Sequence, residues 1–94
     1  MQLDLTMGIY IAIKSTISAF RYGIEPAPEW FRRMSRDTEE VEAVVDGDKV
    51  KALDIRVSNG TLRAFHGHYI GMRPDGSITV LRPEDFHSSY TLKL

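Results

Sequence analysis

The chain of 94 residues contains no cysteine, so neither a disulfide framework nor a thiolate metal site stabilises it. Its stability, roughly 5–14 kcal/mol at this length, has to come from apolar burial and backbone pairing. It also lacks an apolar run near the roughly 20 residues that a membrane helix needs. The run nearest the N-terminus, Met7–Ile13, stops at Lys14, and no basic residue precedes it. It does not read as a secretory signal, and cytoplasmic residence without a membrane partner is the expectation. Neither charge sign dominates. Twelve basic against thirteen acidic residues leave −1, which gives no electrostatic argument for direct binding to nucleic acid. A glycine-rich phosphate loop and a Gly-x-Ser-x-Gly elbow are both missing, so neither of two common catalytic frameworks is available. The expectation is a protein that is not an enzyme and carries no cofactor.

What is present is period-two patterning punctuated by turns. Between Ile9 and Tyr22, Ile11, Ile13, Ile17 and Ala19 share one parity and Lys14, Thr16, Ser18 and Phe20 the other, which predicts a strand. Pro28-Glu29 then predicts the first turn of a short helix over Pro28–Arg36, with Trp30, Phe31 and Met34 on one face and Arg32, Arg33 and Arg36 on the other. A strand is expected over Val41–Asp46, after a polar, acidic stretch. Asp46-Gly47-Asp48-Lys49 predicts a hairpin into a strand Lys49–Val57, and the Asn59-Gly60 pair a second, type I′ hairpin into Thr61–His66. Gly67 and Gly71 bracket a bend or bulge followed by a strand. Arg73-Pro74-Asp75-Gly76 reads as a type I turn into Ser77–Arg82. Pro83–Phe86 reads as one helical turn and Tyr90–Leu94 as a terminal strand. The fold class is therefore α+β: one domain over residues 1–94, a curled, mainly antiparallel sheet of about five or six strands, partly barrel-like, with one short helix and one helical turn. Trp30, Phe31, Phe65, Tyr69, Phe86 and Tyr90 are its expected aromatic core.

Charge is unevenly spread along the chain. Residues 39–54 carry two basic and six acidic side chains, so Glu39, Glu40, Glu42, Asp46 and Asp48 form an acidic arc. Such an arc suits a basic groove on a partner, although a solvated hairpin is the commoner cause. Arg32, Arg33 and Arg36 are the main basic cluster, suited to phosphate or an acidic surface, against the plainer reading of a solvated helix face. In an extended strand His66 and His68 would share a face, making them weak metal candidates with His87 as a third ligand. Without a nearby carboxylate set, no metal is expected. Carboxylates in turns and helix starts serve the backbone, and Ser88-Ser89 beside His87 are neighbours in sequence only.

The order of Ile17-Ser18-Ala19-Phe20-Arg21-Tyr22, Pro28-Glu29-Trp30-Phe31, Gly67-His68-Tyr69-Ile70 and Arg82-Pro83-Glu84-Asp85-Phe86 with Tyr90 resembles small phage and prophage proteins of the PGDYG type. The resemblance covers about residues 13–90, leaving residues 1–12 as an extension with an extra strand. It departs at His68, where the family carries aspartate. It implies a phage gene product acting in the host cytoplasm, and it supplies no chemistry. The leading expectation is a binding protein that inhibits a host protein or defence complex, in the manner of an anti-CRISPR protein. Alternatives are a nucleotide-like ligand sponge using the arginine helix and Tyr69, and an enzyme with metal at His66 and His68. Ile9, Tyr10, Ile11 and Ile13 would form an exposed edge that a homodimer covers.

Overall fold

The computed structural model describes residues 17–90. The isoleucine stripe with its homodimer edge, and the terminal strand expected after Tyr90, lie outside them. Among the described residues six strands and two short α-helices follow in order: β1 Ser18–Arg21, α1 Glu29–Arg32, β2 Thr38–Val45, β3 Asp48–Val57, β4 Gly60–Phe65, β5 Tyr69–Met72, β6 Ile78–Leu81 and α2 Pro83–Ser89. The fold is α+β and mainly antiparallel sheet, as expected. The strands form two three-stranded sheets, β1-β5-β6 and β2-β3-β4, rather than one partly closed barrel. β4 runs alongside β6 without hydrogen-bonding to it, so the sheets remain separate ladders whose apolar residues share one core.

Turn chemistry sets the registers. At Asp46-Gly47 both residues have positive φ, 52° and 85°, the type I′ geometry whose twist matches the flanking strands. Val45 therefore lies opposite Asp48. At the second hairpin Val57 pairs with Gly60, so the loop is Ser58-Asn59, one residue earlier than the Asn-Gly pair suggests. The third turn closes as a type I turn, the Gly76 N–H donating to the Arg73 carbonyl at 2.8 Å.

Several boundaries differ from expectation for one reason, the pull of strand pairing. β2 begins at Thr38, not Val41, because Thr38 to Val45 pair with β3 throughout. An edge strand tolerates the acidic side chains that look like a loop. That pairing also cuts α1 to a single turn, followed by a 3₁₀ turn over Ser35–Asp37. α2 runs two turns, not one, with Pro83 at its start.

Strand parity decides where the core lies. Phe20, Ile70 and Val80 point from the first sheet, and Leu53, Ile55, Leu62 and Ala64 from the second. They meet between the sheets, with Phe31, Trp30 and Met34 of the α1 segment packed against them. Phe20 and Phe31 rings are 5.0 Å apart, with Trp30 edge-on to both at 5.9 Å. Full burial of a side chain such as Ile55 or Ile70 contributes about 1.5–3 kcal/mol. The other expected core aromatics are elsewhere. Tyr69, Phe86 and Tyr90 form a stack on the outer face of the first sheet, with ring centroids 3.9 Å and 5.2 Å apart, and this stack anchors α2. Gly71 shares that face, where Ile17 lies across it so closely that a Cβ would sit 2.6 Å from its Cδ1. Phe65 faces outward from the second sheet, since it pairs with Ala52 rather than with the core-facing Leu53.

Candidate functional site

The feature that sets this molecule apart is an arm. β3 pairs with β2 from Asp48 to Ile55, but with β4 only from Ala52 to Val57. Residues 42–51 therefore run on as a two-stranded hairpin. At its tip Val44 is 69% exposed and Val45 42%, values high enough to mark apolar side chains offered to solvent. Parity sorts its charges. Glu40, Glu42, Val44, Lys49 and Lys51 share the core-side face, where Glu42 lies opposite Lys51 and Val44 opposite Lys49. Glu39, Val41, Ala43, Val45, Asp48, Val50, Ala52 and Asp54 occupy the other face. The acidic arc is therefore split between two faces, and the lysines offset its core-side part. On that side Glu40 also lies near Tyr22, whose hydroxyl is pushed above its ordinary pKa by burial and then by this carboxylate.

The three arginines do not share one helix face. α1 ends at Arg32, and Arg36 sits in the 3₁₀ turn. Arg32 donates to the Ala27 carbonyl at 3.1 Å, and Arg33 pairs with Glu29 at 2.9 Å. Both are exposed, so such a pair adds little stability. Arg36 is exposed and its carbonyl accepts from Arg56 at 2.9 Å. A stronger pair is one that sequence reasoning passed over. Arg63 forks onto Asp54 with two hydrogen bonds of 2.6 and 2.9 Å, holding that carboxyl below the usual carboxylate range. Their cross-strand register places them side by side; only the hairpin pairing could have revealed this.

The histidines are not arranged as a ligand set. His66-Gly67 forms a turn rather than extended strand, so the same-face argument for His66 and His68 fails. His66 packs against Gly23. His68 Nδ1 accepts the Phe65 N–H at 3.2 Å, and its ring meets Phe65 edge-on at 5.6 Å. His87 Nε2 lies 3.5 Å from the Tyr69 hydroxyl. Among the described residues no three His, Asp or Glu side chains gather to hold a metal ion. Tyr69 is committed as well: Phe86 stacks on its ring and the Arg21 guanidinium lies 5.6 Å from the ring centre. A base seeking to stack there would compete with Phe86.

Burial lowers the pKa of His68 below the ordinary imidazole value; the charge of Glu84 opposes this and that of Arg82 adds to it. In that window the unfolded chain binds more protons than the folded one. The contribution of neutral His68 is thus fully present above about pH 6.5 and is lost as pH falls toward the folded-state pKa. Urea midpoints measured from pH 8 to pH 5 should fall more steeply for the wild type than for His68→Gln. Identical slopes would show that His68 does not titrate differently on folding.

Two concave surfaces lie among the described residues. An open groove of about 300 Å³ lies beside Ile17, Met72 and Pro74. A smaller polar hollow, about 130 Å³, lies between Glu39, Asp54, Arg56 and Thr61. No described helix is long and apolar enough to cross a membrane. Comparison of the chain with protein-family models, with curated proteins and with solved structures finds no match in any of the three.

Proposed function

We propose that this protein acts by stoichiometric binding to another protein, with the tip of the β2–β3 arm as the inserting element. The observation that carries the reading is the exposure of Val44 and Val45 at the end of a hairpin that outruns its sheet. Apolar side chains at the tip of such an arm lose water only when a partner receives them. Asp46 follows them, Asp48 lies opposite Val45 and Lys49 opposite Val44, so the receiving surface is an apolar pocket whose rim is basic on the Val45 side and accepts a lysine on the Val44 side. The resemblance to small phage and prophage proteins supports a host cytoplasmic protein, such as a component of a defence complex, as that partner. Its inhibition follows if the pocket is one the host protein needs free.

Pull-down from host cells with the wild-type chain and with Val44→Asp/Val45→Asp tests this. The wild type should retain a partner at a fixed ratio, and the double variant should lose it by a factor of about ten or more. The variant's melting temperature should stay close to the wild type, because both side chains are exposed. Equal recovery by both proteins would show that the arm tip is not the binding element.

A further inference from the structure

Three hairpin connections place glycine directly after an aspartate or asparagine: Asp46-Gly47, Asn59-Gly60 and Asp75-Gly76. In each, the glycine nitrogen follows a side-chain carbonyl carbon that it can attack to close a five-membered ring, the proximity being supplied by the chain itself. The structure separates the three. Asp75 Oδ1 accepts the Ser77 hydroxyl at 2.7 Å and the Ser77 N–H at 2.9 Å, and these bonds hold its carboxyl below the usual carboxylate range. Ring closure there needs the protonated acid, because the oxygen leaves only as water, and the turn keeps that form scarce. Asp46 shares the same poor leaving group. Asn59 instead releases ammonia, with no carboxylate to be protonated first. It is exposed, together with Ser58, Gly60 and Thr61, and nothing stands within 4 Å of where a Gly60 Cβ would be. Gly60 pairs with Val57 as the last rung of the β3–β4 ladder, so its nitrogen is released whenever that end frays, an opening of low free energy. The φ of Gly60 is 147°, which favours glycine, so the turn carries the reactive pair as part of its geometry.

From these differences we infer that Asn59 is a site of spontaneous deamidation, with water as the co-reactant. The Gly60 nitrogen attacks Cγ of Asn59 and loses its proton to solvent. The Cγ–Nδ2 bond breaks, and the departing nitrogen takes up a proton and leaves as ammonia. Water then opens the succinimide at one carbonyl or the other, leaving aspartate or isoaspartate at position 59. Either product adds one negative charge. Isoaspartate also routes the main chain through the side-chain methylene, which lengthens a two-residue loop whose length sets Val57 opposite Gly60. The site lies at the end of β3 away from the arm tip, and its chemistry does not depend on partner binding.

Incubation of the full-length chain in mildly alkaline buffer, followed by peptide mapping and mass spectrometry, tests this assignment. The peptide containing Asn59 should gain the mass difference between an amide and an acid and split into two chromatographic products. The urea-unfolded chain sets the reference rate. The native chain should convert within about tenfold of it, the cost of opening an end pair. Asn59→Gln, which would have to close a six-membered ring, should convert about tenfold more slowly or less, and circular dichroism checks that its fold is kept. Over the same interval the peptides containing Asp46 and Asp75 should stay unchanged. Protection of native Asn59 by more than about tenfold would overturn the assignment. So would isomerisation of Asp46 or Asp75 ahead of Asn59, or equal conversion in Asn59→Gln.

Discussion

Replacing Ile70 with alanine is expected to lower the unfolding free energy by about 2–5 kcal/mol, the range for deleting a large buried aliphatic side chain. Ile70 is fully buried and lies in the middle strand of its sheet, between Phe20 on one side and Val80 on the other. Its side chain crosses the space between the sheets, so the cavity left behind is lined from both. The surrounding rings cannot collapse into it without shifting a strand. Against a total of roughly 5–14 kcal/mol for a chain of this length, the variant should approach the unfolding midpoint in mild denaturant. Urea titration followed by circular dichroism measures the change. Ile70→Val should cost only about 0.5–1.5 kcal/mol. An alanine variant within about 0.5 kcal/mol of the wild type would mean that the two sheets do not share this core.

Phe31→Ala should cost about 3–5 kcal/mol. Phe31 is the buried residue of α1, a helix of a single turn with no side-chain cap. Helices this short are not stable by propensity, so tertiary contact must hold it. Phe31 provides that contact through Phe20 of β1, whose ring lies 5.0 Å away. Without it, the whole stretch between β1 and β2 loses its attachment, and Trp30 becomes wet. The measurement is therefore double: a lowered urea midpoint, and a red-shifted emission from the single tryptophan in native buffer. Phe31→Leu should recover much of the loss. If the emission of Phe31→Ala stays unshifted, α1 is held by something other than this ring.

Local signals in the sequence carried most of the strand content, and non-local pairing supplied the rest. Asp46-Gly47 and Arg73–Gly76 were legible because each turn stabilises itself within four residues. The start of β2 was hidden, because Glu39 and Glu40 become strand residues only when β3 lies beside them. The length of α1 was hidden for the same reason. Phe86 and Tyr90 carried the signature of core residues in their size alone. Their place outside the first sheet depends on Tyr69, which comes from a different hairpin. The candidate site shows the same division. Its acidic residues were evident as a run, but a run has no faces until it is paired. Parity then separated Glu39 and Asp48 from Glu40 and Glu42, and gave the arm one mixed-charge face and one apolar face. In sequence the exposed Val44 and Val45 look like ordinary strand residues, since nothing in the order of residues says that β4 stops short of them.

The two sheets differ in how far along the chain their members lie. β2, β3 and β4 are consecutive and joined by two-residue loops, so each pairing closes a loop with little entropy to lose. In the other sheet, Arg21 pairs with Tyr69 across 48 positions, and the entire second sheet lies inside that closure. Bringing those ends together costs on the order of 3 kcal/mol before any contact is made. Loop closure therefore favours early assembly of the meander, which as a compact spacer would shorten the search between β1 and β5. The protruding arm belongs to the early unit, and the aromatic stack on Tyr69 belongs to the late one. A nascent chain would present its arm before its first and last elements have met.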